Sequence, residues 1–175
     1  MLRFFIFFLQ FFAFKGIKSQ EIELPYPSRI EYNSINNSAI TFFSDFFKEN
    51  PLCVVFLGSE GFELLFPEKI SVNKNFFEIS IIITPIEGKY QFAVLLEDNT
   101  KEKIRIFYKK SKEEPIDLIL QKKEYFFKEE VFLKNLRKEW IRKKTLNILG
   151  FYIFPLTTET SFCIHKIKLK KTSFL

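Results

Sequence analysis

The chain has 175 residues, of which 47% are hydrophobic, and a formal net charge of +6 at neutral pH. This length suits one domain with a sizeable core. The basic charge, which falls to +3 without residues 1–19, gives no argument for nucleic acid as a partner. With one histidine, two cysteines and no Cys-x-x-Cys pair, the composition excludes the usual zinc motifs.

The first nineteen residues have the pattern of a cleavable secretory signal peptide. Arg3 precedes an apolar run at residues 4–14, and Ser19 is a small residue suited to cleavage. The run is shorter than the about 20 residues of a transmembrane helix, and retention as an uncleaved anchor is the alternative. We expect an exported chain, periplasmic or extracellular, with no stable membrane span after cleavage. Loss of Arg3, Lys15 and Lys18 would lower the formal charge from +6 to +3.

Residues 20–50 are predicted to be an N-terminal arm that includes one short helix. Pro25 and Pro27 keep its first part extended. From Ser38 to Pro51 apolar residues recur at spacings of three and four, which indicates a helix with Ser38 as its N-cap. A strand over residues 39–43 is the alternative, because their aromatic and β-branched content also suits a strand.

After Pro51 the pattern changes to short apolar runs and alternation, which are typical of strands. Residues 77–84 and 90–97 form the clearest hairpin, with a turn at residues 85–88. Strict alternation puts Cys163, His165, Ile167 and Leu169 on one face of the last strand. The other predicted strands lie at residues 52–57, 62–66, 103–109, 116–120, near 131–133 and at 145–154, and the last at 161–170.

This pattern predicts an all-β fold. About eight or nine short strands with little helix are typical of a β-sandwich. We therefore predict a sandwich over residues 51–175, preceded by the arm and its short helix.

Cys53 and Cys163 have two open interpretations. In an oxidising compartment they can form one disulfide, which would close a loop of about 110 residues and stabilise the fold. Alternatively they are buried thiols that pack as small apolar groups. Sequence does not show whether their Cα atoms come within bridging distance.

No catalytic, cofactor or metal constellation stands out in the sequence. His165 is the single imidazole, and within a strand it is interpreted as a structural histidine. Cys163 and His165 lie two residues apart, which gives them one face without the independent positioning that a nucleophile and its base need. There is no Gly-rich phosphate loop and no EF-hand. We predict a non-catalytic protein without a cofactor, and a concealed enzyme is the alternative.

Two basic surfaces are candidates for an acidic partner, either a polymer or a protein filament. The alternative for each is solvated charge, with Trp140 packed in the core. The first surface surrounds Trp140 and consists of Arg137, Lys138, Arg142, Lys143 and Lys144. The second follows the last strand and consists of Lys166, Lys168, Lys170 and Lys171.

The second half of the chain resembles galactose-binding-like jelly-roll domains. The hairpin at residues 77–97, which ends in Leu95-Leu96-Glu97-Asp98, is similar to their central strand pair. Trp140 with the strand at 144–149, and the ending at 161–169, are similar to their last two strands. Within that group the chain is similar to the periplasmic flagellar-filament outer-layer (sheath) proteins of spirochaetes.

The resemblance implies a jelly-roll sandwich in a structural protein that docks on a protein partner, such as the flagellar filament. Position 165 is His where such domains usually carry Asp, which weakens an inherited calcium or sugar site. The alternative function is a carbohydrate-binding module or a secreted lectin-like domain. In that case exposed aromatic side chains would line a groove with polar groups between them, and the candidates are Tyr125, Trp140 and Tyr152.

Overall fold

A computed structural model describes residues 18–32, 39–43, 51–72, 77–108, 122–129, 132 and 145–173. Eleven strands lie within these ranges. They are β1 (Lys18–Glu23), β2 (Arg29–Tyr32), β3 (Ala39–Phe43), β4 (Leu52–Leu57), β5 (Phe62–Val72), β6 (Phe77–Glu87), β7 (Tyr90–Glu97), β8 (Lys103–Phe107), β9 (Lys123–Lys128), β10 (Leu146–Pro155) and β11 (Glu159–Ser173). The described ranges contain no helix long and apolar enough to cross a membrane.

The strands form two sheets in which every pairing is antiparallel. The front sheet has the order β3-β4-β11-β6-β9, and β1 also pairs with β11. The back sheet has the order β2-β5-β10-β7-β8. When the eight strands from β4 to β11 are numbered one to eight, the front sheet has the order one, eight, three, six. The back sheet has the order two, seven, four, five. This is the order of a jelly roll built from two Greek keys, and the predicted β-sandwich is confirmed.

The core lies between the sheets because alternate positions of each strand are apolar. In β4, Leu52, Val54 and Phe56 are buried. Aromatic rings join the two layers: the Phe56 ring lies 4.6 Å from that of Phe62 in the back sheet. The ring of Phe92 in β7 similarly contacts that of Phe127 in β9, at 5.4 Å. Such pairs stabilise beyond the area that they bury.

The arm predicted at residues 20–50 contributes strands to both sheets. β1 pairs with β11, β2 with β5, and β3 with β4. The predicted helix is wrong for residues 39–43, where the alternative strand is found, because β4 offers these residues a complete antiparallel ladder. The rest of that predicted helix, residues 44–50, lies outside the described residues.

Two strands pass through irregularities that sequence alternation does not show. Between Ile148 and Gly150 the register of β10 shifts against both neighbouring strands. A Cβ at Gly150 would overlap the Leu64 carbonyl oxygen, so this close approach of two backbones requires glycine. Pro67 lies in the stretch of β5 opposite this shift, where its missing N–H removes no paired ladder bond.

The predicted faces of the last strand are wrong beyond residue 164. A bulge between Ile164 and Lys166 inserts one residue, so Ile164, Ile167 and Leu169 all face the core. Cys163 faces outward, on the opposite side from Ile167. A strand that was not predicted lies at Lys123–Lys128. Of residues 131–133, where a strand was predicted, the structure describes Phe132, which is not in a strand. The strand predicted at residues 116–120 lies outside the described residues.

Candidate functional site

Cys53 and Cys163 form a disulfide on the outer face of the front sheet. The register of β4 and β11 places the two residues directly opposite each other, with their Cα atoms 4.0 Å apart. The bridge therefore holds two adjacent strands in register. A disulfide of this kind is consistent with an oxidising compartment.

Tyr125 and Tyr152, two of the predicted surface aromatic residues, lie on different sheets. Tyr125 in β9 faces the core, is 7% exposed, and its ring meets that of Tyr108 edge-on at 4.9 Å. Burial, and then the neighbouring Tyr108, raises the pKa of Tyr125 to about 12. Tyr152 in β10 is 8% exposed on the outer side of the back sheet. The structure therefore does not bring the two rings together.

The remaining residues of the predicted partner surface lie outside the described residues. They are Trp140, Arg137, Lys138, Arg142, Lys143 and Lys144. Their part in binding stays a prediction.

The outer face of the back sheet is occupied by the protein's own contacts. The Arg105 guanidinium lies over the Tyr152 ring, 3.8 Å from its centroid. Arg105 and Lys103 both donate to the carboxylate of Glu63, at 3.2 and 2.6 Å. Because Glu63 is only 7% exposed, its carboxylate takes hydrogen bonds from these partners in place of water. A ligand here would have to displace contacts that stabilise the fold.

The front sheet instead carries a polar groove of about 230 Å³ on its outer face. The groove crosses β1, β11, β6 and β9, which are neighbours in that order. Its side chains come from the outward positions that alternate with core positions. The polar groove consists of Glu21, Glu78, Ser80, Glu124, Phe126, Lys168 and Lys170.

The short side chain of Ser80 explains why a groove exists here. The register puts Ser80 opposite Lys168 of β11 on one side and Phe126 of β9 on the other. Glu78 and Ile82 are its neighbours on the same face of β6. The side chains of all four neighbours are longer than that of Ser80 and extend further from the sheet. Ser80 therefore forms the floor of the groove.

Ion pairs hold the walls of the groove in place. Lys168 Nζ lies 3.1 Å from Glu21 Oε1, which joins β11 to β1. Lys128 Nζ lies 3.7 Å from Glu78 Oε2, which joins β9 to β6. These side chains are partly exposed, so each pair contributes little stability. Their main effect is to set where charged groups face the groove.

Phe126 is the aromatic residue of the groove, and it is 43% exposed. Lys128 Nζ lies 5.9 Å from its ring centroid. Glu124 and Lys170, which also line the groove, form no ion pair with any residue of the described ranges. The groove thus combines an open aromatic ring with a carboxylate that can accept hydrogen bonds and an ammonium that can donate them.

A second feature of the same sheet lies at the bulge of β11. Tyr26, in the connection between β1 and β2, donates a hydrogen bond from its hydroxyl to the His165 carbonyl oxygen at 2.6 Å. His165 Nε2 lies 2.8 Å from Thr84 Oγ1. Burial, and then the Lys122 ammonium, lowers the pKa of His165 from 6.5. Within the described ranges no group of three His, Cys, Asp or Glu side chains could hold a metal ion.

The sequence pattern indicated Lys168 and Lys170 as part of a basic surface but did not indicate Glu21, Glu78, Ser80, Glu124 or Phe126. Each of these looks like an ordinary outward residue of a strand. The alternation of β6 could have identified Glu78 and Ser80 as outward-facing. Only the strand order shows that they meet residues of β1, β9 and β11.

No protein-family model matches the chain, and no curated protein is similar to it in sequence. Among solved structures it is similar to a family 11 carbohydrate-binding module from Clostridium thermocellum in complex with a β-1,3-1,4-mixed-linked tetrasaccharide. The TM-score is 0.43 at 10% identity, covering 89% of this chain and 91% of that one. It is also similar to a xylan-binding domain from Paenibacillus barcinonensis, with a TM-score of 0.43 at 13% identity, covering 90% and 95%. At this distance the likeness carries no information about what this chain binds.

Proposed function

We propose that the protein is a non-catalytic carbohydrate-binding protein and that the polar groove takes one sugar ring. The observation that carries the proposal is the exposed Phe126 ring beside Ser80, surrounded by carboxylate and ammonium groups. A sugar ring has an apolar C–H face, which suits the negative face of an aromatic ring. Its hydroxyl groups can donate hydrogen bonds to the carboxylates of the glutamates and accept them from the ammonium groups of the lysines.

The size and charge of the groove favour an uncharged sugar. Its volume of about 230 Å³ is below the range of about 300–1,000 Å³ for sites of drug-sized ligands, so it suits a single ring. Three carboxylates and two ammonium groups line it, from Glu21, Glu78, Glu124, Lys168 and Lys170. Lys128, which pairs with Glu78 beside the groove, brings the two signs into balance, so a charged sugar gains no net attraction over a neutral one.

Binding to a panel of soluble polysaccharides tests the proposal. The panel contains mixed-linked β-glucan and xylan as uncharged chains and polygalacturonate as an acidic one, and affinity electrophoresis measures retardation of the protein. We expect an uncharged chain to retard it. Phe126→Ala and Ser80→Tyr should each strongly weaken the retardation, because one removes the ring and the other fills the floor.

Two matched controls lie on the back sheet. Phe154→Ala removes a ring that is 37% exposed, and Ser71→Tyr enlarges an exposed serine. Both should bind like the wild type. Equal retardation of the wild type and the two groove variants would exclude the groove as the site. Lack of retardation by every polysaccharide would refute a carbohydrate ligand, and release of reducing ends from any of them would refute a non-catalytic role.

Export also belongs to this proposal. It is supported by the signal-like residues 1–19 and by the Cys53–Cys163 disulfide. Docking on a periplasmic flagellar filament stays a prediction, which neither the described residues nor the two similar structures named above test. Sedimentation of the protein with purified filaments, in the absence of polysaccharide, would favour that function over the one proposed.

A further inference from the structure

The polar groove is not the only part of the front sheet that can contact a ligand. Tyr26 is 37% exposed and is anchored at the bulge of β11 by its hydrogen bond to the His165 carbonyl. The charged groups of Glu23 and Lys166, which project from the outer face, lie beside it. Tyr26 thus presents a second aromatic ring at the edge of the face that carries Phe126.

The backbone around Tyr26 holds the ring in a defined position. The preceding Leu24 donates its N–H to the Ile167 carbonyl of the front sheet, and the following Ser28 donates to the Leu65 carbonyl of the back sheet. Pro25 and Pro27 flank Tyr26 and restrict the backbone further. A ring fixed before binding loses little conformational entropy when a ligand stacks on it.

The path from Phe126 to Tyr26 is longer than one sugar ring. It crosses three strand spacings, from β9 over β6 and β11 to the β1 side, and runs three residues along β11 from Lys168 to His165. With standard strand spacings this diagonal measures roughly 17 Å. A ligand that contacts both rings must therefore be a chain of several units.

Polar groups continue along this path. Lys168 pairs with Glu21 at 3.1 Å, and Lys166 pairs with Glu23 at 2.7 Å, so two successive Lys–Glu pairs lie between the rings. The side chains of Lys168 and Lys166 are 31% and 39% exposed, and those of Glu21 and Glu23 are 58% and 61% exposed. Each pair can donate to and accept from the hydroxyl groups of a passing sugar unit.

We infer that the ligand is an extended, uncharged polysaccharide chain lying diagonally across the front sheet, stacked on Phe126 at one end and on Tyr26 at the other. The inference rests on the proposed function and adds to it the length of the ligand, its direction and the role of Tyr26. Phe126 and the polar groove serve one unit of the chain, and Tyr26 serves a unit further along.

Isothermal titration with oligosaccharides of increasing length tests this. The probes are mixed-linked β-glucan and xylan oligosaccharides from the disaccharide to the hexasaccharide, titrated into the wild-type protein. Affinity should rise with length until both rings are covered. Tyr26→Ala should weaken hexasaccharide binding by about tenfold and leave disaccharide binding unchanged, whereas Phe126→Ala should weaken binding at every length.

Two further variants separate stacking from stability. Tyr26→Leu keeps an apolar side chain in place without an aromatic face and should lose hexasaccharide affinity like Tyr26→Ala. Tyr26→Phe keeps the ring but not the hydroxyl bond to His165 and should retain most of the affinity. Thermal unfolding of each variant shows whether the protein is folded, and Tyr26→Leu replaces Tyr26→Ala if the latter is not.

Different results would refute the extended path and the sugar-binding groove. If Tyr26→Leu binds the hexasaccharide as tightly as the wild type while Phe126→Ala does not, the extended path is refuted and the groove remains. An affinity that is the same for the disaccharide and the hexasaccharide also refutes the path. If the wild type binds no oligosaccharide and no polysaccharide, the proposed function and the inference both fail.

Discussion

At the scale of single residues, His165 combines a position in the bulge of β11 with a titratable ring. Its Nε2 is hydrogen-bonded to Thr84 Oγ1 and lies near the Lys122 ammonium. Its carbonyl oxygen, at the β11 bulge, accepts a hydrogen bond from the Tyr26 hydroxyl. Because burial lowers the pKa of the folded His165 below 6.5, the unfolded chain takes up the proton first as the pH falls. The contribution of this ring to the free energy of unfolding is therefore fully present above pH 6.5. It decreases as the pH falls towards the pKa of His165 in the folded protein.

We expect this pH dependence to disappear when the ring is removed. Urea unfolding between about pH 5 and pH 8 should show the wild type losing stability below pH 6.5 relative to its value at high pH. His165→Gln keeps an amide that can bond to Thr84 Oγ1 but cannot titrate, and its curve should be flatter over the same range. Parallel curves for the two proteins would show that His165 is not the group responsible.

At the scale of elements, the disulfide joins β4 and β11, which are adjacent in the sheet but far apart in sequence. It closes a loop of 110 residues, for which the loop-closure model gives a stabilisation of about 4–5 kcal/mol. Replacing both Cys53 and Cys163 by serine should lower the free energy of unfolding by about 2–5 kcal/mol, measured by urea denaturation in oxidising buffer.

The reduced wild type supplies the control for that prediction. Dithiothreitol should lower the denaturation midpoint of the wild type towards that of the double variant and should not affect the double variant itself. A double variant that unfolds at the wild-type midpoint would mean that the bridge adds nothing beyond the strand pairing at residues 52–57.

Alternation along single strands made much of the fold predictable from sequence. Ile104 and Ile106 alternate with exposed Lys103 and Arg105, and β8 lies within the strand predicted at residues 103–109. Other features depend on partners that sequence does not name. Residues 39–43 suit a helix or a strand locally, and the ladder offered by β4 decides between them.

The candidate site was less predictable than the fold for a related reason. Glu21, Ser80 and Phe126 are distant in sequence and meet only because β1, β11, β6 and β9 are neighbours in the front sheet. Each alone looks like an outward strand residue. The bulge in β11 also reverses which residues after Ile164 face outward, so alternation assigned His165 and Ile167 to one face.

At the scale of the whole molecule, β1 connects the predicted processing site to the fold. β1 begins at Lys18 and pairs with residues 168–173 of β11. Cleavage after Ser19 would leave residues 20–23, which include Glu21 of the groove and Ile22, packed against the core. The mature chain would therefore keep the part of β1 that both the core and the groove use.

Two shortened chains test this arrangement. A chain that begins at Gln20 should unfold at nearly the temperature of the full chain and bind saccharide equally. A chain that begins at Leu24 loses the partial burial of Ile22, worth about 1 kcal/mol, which corresponds to a Tm roughly 2–4 °C lower. It should also bind saccharide less well than the Gln20 chain, because Glu21 no longer holds Lys168 beside the groove. Equal Tm and equal affinity for the two chains, measured by calorimetry and titration, would show that β1 supports neither the core nor the site.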